Sequence, residues 1–366
     1  MKRTAALRNR HFHQCLLGAL LSVFTGLTLV AAAGQNTSEQ DAFDRYFGLY
    51  QVSPEKDDWT RHFRIGAMAG LNIHASFNEN GLFKIPTANG VYDDGYVRED
   101  QTGNAGGLTS NWGYNNASQY DPNAGTITMH STSSYSTAGA SHDEGGAFVG
   151  FDMAYGGNLW YWHHVRIGWD LGFGLLPISV TDKQTLQASA TQTAYTFNTG
   201  GIVVPGAGHQ GGSSGVGALL PALPSEFSTN TLSGTASGSR EINVILYSVR
   251  FGPSIYCDLS QNLGFSLGAG PALGIVSGDY KFNEIVTTSN GSAHVVGRYG
   301  ATDVVFGGYV NGTLMYHLQD NNRNADLYLG VQYMPMGDAT FGEGGRVGRL
   351  NLSGQVYLSA GINWPF

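Results

Sequence analysis

Several groups of residues in this 366-residue chain are of types that do chemistry. Gly206-Ala207-Gly208-His209-Gln210-Gly211 has the glycine spacing of a turn that cradles a pyrophosphate. Gly211-Gly212-Ser213-Ser214-Gly215 has the spacing that sets a nucleophilic serine on a sharp elbow. Each motif works only between a strand and a helix of an α/β layer. Here both lie in 198–238, a run of Gly, Ser, Ala, Thr and Pro in which Glu226 is the sole charge. Glycine-rich sequence of this kind produces such matches by chance, so neither is assigned a role. After residue 33 there are nine histidines, and His163-His164 are adjacent. Neighbours in a strand point to opposite faces, so this pair cannot chelate one metal.

Oxygen ligands are the next candidates. Asp93, Asp94, Glu99 and Asp100 cluster, with Asp121 following, in a stretch where 78–142 holds six acids and two bases. Calcium needs oxygens of this kind, but the spacing fits no EF-hand loop. A solvated acidic loop is the expectation, with no metal and no cofactor. The same stretch carries Tyr96, Trp112 and Tyr114 among Gly, Asn and Ser. Such aromatics form a candidate loop surface for an external ligand. They would equally serve to pack the loop on itself.

The elements that must position these residues follow from composition. Charged residues are only 13% and glycine is 53 of 366, with 19 Tyr and 18 Phe. Disorder is disfavoured by the 42% hydrophobic content. An acidic balance of 19 Lys+Arg against 27 Asp+Glu disfavours nucleic-acid binding. Lys2, Arg3, Arg8 and Arg10 precede an apolar run from Cys15 to Val30, closed by Ala31-Ala32-Ala33. This is the pattern of a cleaved secretory signal peptide over 1–33. Without it the chain keeps 15 Lys+Arg against 27 Asp+Glu, a net of -12, and one cysteine, Cys257. No second apolar stretch is long enough for a spanning helix. Residues 34–60 read as a periplasmic lead-in to a barrel domain over 61–366.

Period two dominates that domain. Backwards from the end, Phe366, Trp364, Ile362, Ala360, Leu358, Val356, Gly354, Leu352 and Leu350 alternate with Pro365, Asn363, Gly361, Ser359, Tyr357, Gln355, Ser353, Asn351 and Arg349. A strand with one apolar and one polar face has this period and a helix does not. Similar alternation marks 63–75, 147–154, 165–175, 247–257, 263–275, 306–318 and 327–333. The count is eight strands, or ten if the first long loop hides a hairpin near Thr126–Met129. Connections alternate in length: long at 78–144, tight at 155–160, long at 198–238, tight at 260–262, intermediate at 284–298, short at 319–325, and glycine-rich at 342–345. Long outer loops and short inner turns belong to an antiparallel up-and-down transmembrane β-barrel. Trp160, Tyr161, Trp162, Trp364 and Phe366 would then form an aromatic girdle at one interface.

The polar face would line a lumen that eight strands leave only wide enough for side chains. Its charges are Arg64, Asp152, Arg166, Asp170 and Arg250, which must pair if buried. Counting across the turn expected at 155–160 sets Asp152 opposite Arg166. Asp170 and Arg250 would meet between the third and fourth strands, with Arg250 opposite position 272. The expectation is a lumenal ion-pair network, not a catalytic site.

The alternating strand that closes on Trp364 and Phe366 resembles the C-terminal strand of bacterial outer-membrane β-barrels. The whole pattern is similar to the small outer-membrane barrel superfamily typified by the membrane domain of outer-membrane protein A. The resemblance implies that Phe366 serves as a recognition signal for the barrel assembly machinery, and that outer-membrane lipid surrounds the wall. Barrel enzymes of this broad class use His, Ser and acidic sets near the outer rim, and no such set aligns here. A structural or surface-interaction role is the first expectation for function. A narrow pore or small-solute channel is the second, and a lipid- or peptide-directed hydrolase the third.

Overall fold

Alternation of apolar with small and polar residues folds the chain into antiparallel strands. The computed structural model describes residues 60–137, 140–144, 146–162, 165–260, 262–318 and 325–366. The leader expected over 1–33 lies outside the described residues, as do 34–59 of the lead-in and His163-His164.

Among the described residues, eight strands pair in a closed ring. They are β1 (Arg61–Leu71), β2 (Phe148–Trp162), β3 (Val165–Asp182), β4 (Glu226–Asp258), β5 (Leu263–Thr288), β6 (Gly291–His317), β7 (Asp326–Tyr333) and β8 (Val356–Pro365). Each pairs antiparallel with the next, and β8 returns to β1 through pairs such as Ile65↔Ile362. The fold is an all-β antiparallel barrel.

Several strands continue past this ring in nearly the same register. Asp182 pairs with Arg240, and four residues on Leu186 pairs with Ala236. Leu186–Asn198 therefore prolongs β3 along the outer arm of β4. Thr126–Thr137 pairs with that prolongation, so Thr126–Met129 is part of one long strand edge. His74–Glu79 and Arg346–Asn351 prolong β1 and β8 and pair with each other. The stretches expected as loops at 78–144 and 198–238 are thus strand at their ends. The same holds for 284–298, where β5 and β6 run on to a turn at Ser289-Asn290. Their outward faces there are mostly polar, Phe227, Ile285 and Val296 apart, and such sequence reads as loop although it is strand.

The turn expected at 155–160 is also strand, and β2 runs to Trp162. Gly156 lies in the ladder because a Cβ there would sit 2.2 Å from the Asp170 carboxylate and 2.5 Å from His62. Close approach, not turning, is what that glycine serves.

The polarity of the wall reverses at one height. Below it apolar side chains point out: Leu171, Phe251, Phe306, Leu329 and Ile362 are exposed. Above it they point in, and Ile73, Phe77, Ile178, Val244, Val276, Phe341 and Leu352 form one core. In β1 the exchange is made by geometry. Asn72 adopts φ 58°, so Phe63 and Ile65 face out whereas Ile73, Ala75 and Phe77 face in. The Asn72 amide donates to the Gly354 carbonyl at 2.6 Å, tying this kink to the matching break between β8 and Arg346–Asn351. The continuous alternation expected over the last 18 residues is therefore two strands of opposite sense, because Leu350 and Leu352 are buried while Leu358 and Ile362 are exposed. In β3, β4 and β5 the backbone keeps its facing and the residue types exchange instead, from Arg166, Gly168 and Asp170 to Leu176, Ile178 and Val180 on the inward row of β3.

Candidate functional site

Inward positions of the lower ring carry the five charges expected there, all nearly excluded from solvent. Their partners differ from the expectation. Asp152 pairs in register with Gly174, and its carboxylate meets Arg250 at 2.7 Å. Arg166 lies opposite Tyr161, reaches Asp258 at 3.0 Å and stacks over Tyr256. The Asp152–Arg166 pairing fails because the ladder of β2 with β3 runs on to Trp162↔Val165 instead of ending near Leu159. Asp170 pairs with His62 at 3.0 Å and not with Arg250. Arg250 stands opposite Ala272, and the guanidinium of Arg64 sits over the Tyr328 ring and donates to Thr313. At the base, His317 contacts Asp326 through Nδ1 at 2.7 Å and the Tyr256 hydroxyl through Nε2 at 3.0 Å. Asn363 donates to the second Asp326 oxygen. An Asp–His–Tyr chain has the order of a catalytic relay, and all three of its side chains are buried.

A second charged cluster lies above the polarity reversal, inside the apolar core. Arg240 contacts Glu284 at 2.6 Å, Asp182 at 3.1 Å and Glu79 at 3.3 Å. Arg346 contacts Glu284 at 2.9 Å and Glu79 at 3.3 Å, and is held between the rings of Phe282 and Phe83. Tyr280 donates to Glu79 and Tyr135 donates to Glu284. Three carboxylates face two guanidinium groups. Burial, then the charge and hydrogen bond of Glu284, push the Glu79 carboxyl up to about 7 against the pull of Arg346 and Arg240. Sequence reading missed the cluster because the strands were ended too early. The signal is nonetheless present: Arg240 and Arg250 lie on one face of β4, ten residues apart.

The outer connections 86–125 and 199–225 form a platform with its own core of Trp112, Tyr114, Val97, Met129, Phe197 and Leu220. Trp112 is wholly buried and donates to the Ala218 carbonyl at 2.8 Å. Tyr114 is buried and donates to the Pro205 carbonyl, and Tyr96 donates to Gly211. The candidate surface of Tyr96, Trp112 and Tyr114 is therefore mainly an internal seam joining two loops. Gly113 explains the fit, since a Cβ there would strike the His209 carbonyl at 2.5 Å. The platform exposes the apolar side chains of Val203, Val216 and Leu223, with Phe227 beside them, together with the charged Arg98, Glu99 and Asp121.

Asp93 and Asp94 hold this platform to the strand Thr126–Thr137, and Asp100 ties the loop to itself. Asp93 accepts from Thr132, Asp94 from His130, and Asp100 from Ser110 and Thr102. Thr102 and Ser110 draw the Asp100 carboxyl down to about 2. No metal-ligating group of three or more side chains occurs among the described residues. Of the expected girdle, Trp160, Tyr161, Trp364 and Phe366 are exposed near the end of the ring where β2 and β8 finish, and Trp364 stacks on Phe63. Trp162 is the final residue of β2.

No known protein-family model matches this chain, and no curated protein sequence matches it. Among solved structures it is similar to the outer membrane protein OprG from Pseudomonas aeruginosa, at 8% identity over 85% of this chain and 97% of that one, with a TM-score of 0.32. The outer membrane protease OmpT from Escherichia coli aligns at 10% identity over 87% and 100% of the two chains, with a TM-score of 0.31. Neisserial surface protein A aligns at 13% identity over 83% and 97%, with a TM-score of 0.23. Similarity this weak assigns neither a family nor a role.

Proposed function

We propose that this protein is an integral bacterial outer-membrane β-barrel that displays a loop platform on the cell surface, with a structural or surface-interaction role and no enzymatic activity. The observation that carries the reading is the reversal of wall polarity. A ring with exposed Leu, Phe and Val outside and paired charges inside is stable only where the surroundings are apolar. The same strands, carried past that level, have the apolar core and polar exterior of a water-soluble barrel. The bilayer therefore surrounds the lower ring and ends near Asn72, Leu176 and Val276. From Val276 to Thr288, β5 extends roughly 40 Å beyond this level before tilt is counted, at about 3.4 Å per residue. The platform stands on that stalk. Outer-membrane lipid against the wall, the assembly machinery during biogenesis and an external ligand at the platform are the partners this reading implies.

A solute channel is disfavoured by the same core, since its apolar layer lies across the lumen above the paired charges. A hydrolase would need an accessible nucleophile and base, and the His317 chain is enclosed.

A heat-modifiability gel combined with protease treatment of whole cells tests the reading. Faster migration without boiling is expected, with cleavage confined to 86–125 and 199–225. Mobility that ignores boiling, or loops untouched from outside, would sink it.

A further inference from the structure

We propose that Thr132 and Gln192 join in an intramolecular ester that the protein forms by itself, with Asp93 as the proton shuttle. The bond staples the strand Thr126–Thr137 to Leu186–Asn198, and it does not depend on the membrane reading above.

Register brings the three groups together. Thr132 and Gln192 are direct partners in the ladder, where its register shifts between Thr191 and Gln192. Partners across a ladder place their side chains on one face. Both residues are buried, each with 2% of its surface exposed. The Gln192 amide nitrogen donates to the Thr132 hydroxyl at 3.2 Å. Asp93 reaches in from the outer connection 86–125. Its Oδ2 accepts from the Thr132 hydroxyl at 2.5 Å, from the Thr132 amide at 2.8 Å and from the Gln192 nitrogen at 3.3 Å. Asp94 beside it is engaged with His130 at 2.7 Å.

Three features set this apart from an ordinary structural glutamine. A buried glutamine usually satisfies both ends of its amide, but the Gln192 Oε1 has no donor among the described residues. The Thr132 hydroxyl lies against a carboxylate, the arrangement that activates an oxygen nucleophile. The acyl group beside that hydroxyl is the Gln192 carboxamide. Burial raises the Asp93 carboxyl above its usual range despite the hydrogen bonds from Thr132 and Gln192, and the charge of Asp94 adds to the rise. A more basic carboxylate takes the hydroxyl proton more readily.

The step balances without a co-reactant. The Thr132 Oγ1 attacks the side-chain carbonyl carbon of Gln192 while its proton passes to Asp93 Oδ2. The tetrahedral adduct collapses, the carbon–nitrogen bond breaks, and the same Oδ2 gives the proton to the departing nitrogen. Ammonia leaves, an ester links the two side chains, and Asp93 is again a carboxylate. The reaction occurs once per molecule. Groups held in contact gain an effective concentration of up to about 10⁸ M, which serves here in place of the oxyanion donors of a turnover enzyme. Burial then shields the ester from water. Cys257 is the only cysteine among the described residues, so no disulfide pins these strands.

Mass spectrometry with peptide mapping tests this on full-length protein. One sample is purified in detergent from the cells that make it, and the unfolded control is collected in urea before it can fold. The folded parent is expected to be one ammonia lighter than the control, with one peptide pair joined through Thr132 and Gln192. A succinimide at Asn290-Gly291 would lose the same mass, so the joined pair is the deciding signal. Thr132→Ser keeps a hydroxyl and should link, whereas Thr132→Val and Gln192→Leu should not. Asp93→Asn should link about 100-fold more slowly, the usual scale of a positioned proton carrier. Circular dichroism checks that each variant folds. Folded parent in which the Thr132 and Gln192 peptides stay separate overturns the proposal whatever the variants do. Folded Asp93→Asn that links at the parent's rate, or a pair joined through other residues, overturns it as well.

Discussion

Single residues in this barrel act through burial. Asp152 and Arg250 face each other in a lumen with almost no solvent, so the attraction between them only offsets the cost of desolvating both. Breaking the pair is different from never having it. Asp152→Ala leaves a guanidinium enclosed without its carboxylate and should cost about 3–5 kcal/mol. Detergent refolding followed by urea titration measures this, and a variant as stable as the parent would rule out the pair as a structural element. Glu79 makes a prediction about pH. Its carboxyl rises from 4.5 to about 7 in the folded protein, so folding favours the protonated form. Stability from this group is complete below 4.5 and is lost as pH climbs through 7. The unfolding midpoint should therefore fall between acid and neutral pH, and Glu79→Gln should flatten that fall. A parent whose midpoint rises steadily over the same range would contradict the raised Glu79 carboxyl.

At the scale of elements, glycine and proline decide where strands meet and where they part. Gly156 and Gly150 let β2 lie against β3, and Pro177 ends their ladder. Asn72, with its amide on Gly354, turns two strands over at once. The platform is an element too, because two loops of little regular structure share one core around Trp112. Trp112→Ala removes a wholly buried ring and its bond to Ala218, a change worth about 3–5 kcal/mol in a well-packed site. Protease should then cut 199–225 readily while the barrel still migrates as a folded species. Loops that resist protease as the parent does would mean that the seam contributes little. Strand existence was legible from alternation, since side-chain facing has period two. Strand ends were not. Polar outward residues such as Asn283 and Lys281 look like loop until an inward row of Tyr280, Phe282 and Val286 is seen to share a core.

For the whole molecule, the two storeys set opposite demands on one set of strands. The lower storey needs its apolar face outward, and the upper needs it inward. This arrangement sets the apolar core of the stalk above the paired charges of the lumen. Purified protein in planar bilayers should give no stable stepwise currents. Reproducible unit conductance would require the core to open and would favour a channel. The lumenal charges were legible one by one from their place on the polar face, but their partners were not. A pairing inferred across a hairpin depends on where the ladder ends, and a ladder that runs on to Trp162↔Val165 moved Asp152 from Arg166 to Arg250.

The sequence by itself determined the barrel class, the facing of Arg64, Asp152, Arg166, Asp170 and Arg250, and the absence of a legible catalytic motif. Each follows from local periodicity or residue type, which needs no knowledge of distant partners. Only the tertiary structure decided the rest. Glu79, Asp182, Arg240, Glu284 and Arg346 come from five separate stretches of chain, and their meeting depends on register around the ring. Trp112 and Tyr114 look like surface residues until the 199–225 loop covers them. The level at which the wall turns inside out also required the fold. β1 and β8 reverse their facing at Asn72 and Gly354 while β3, β4 and β5 change residue type, and only their common height reveals a single boundary.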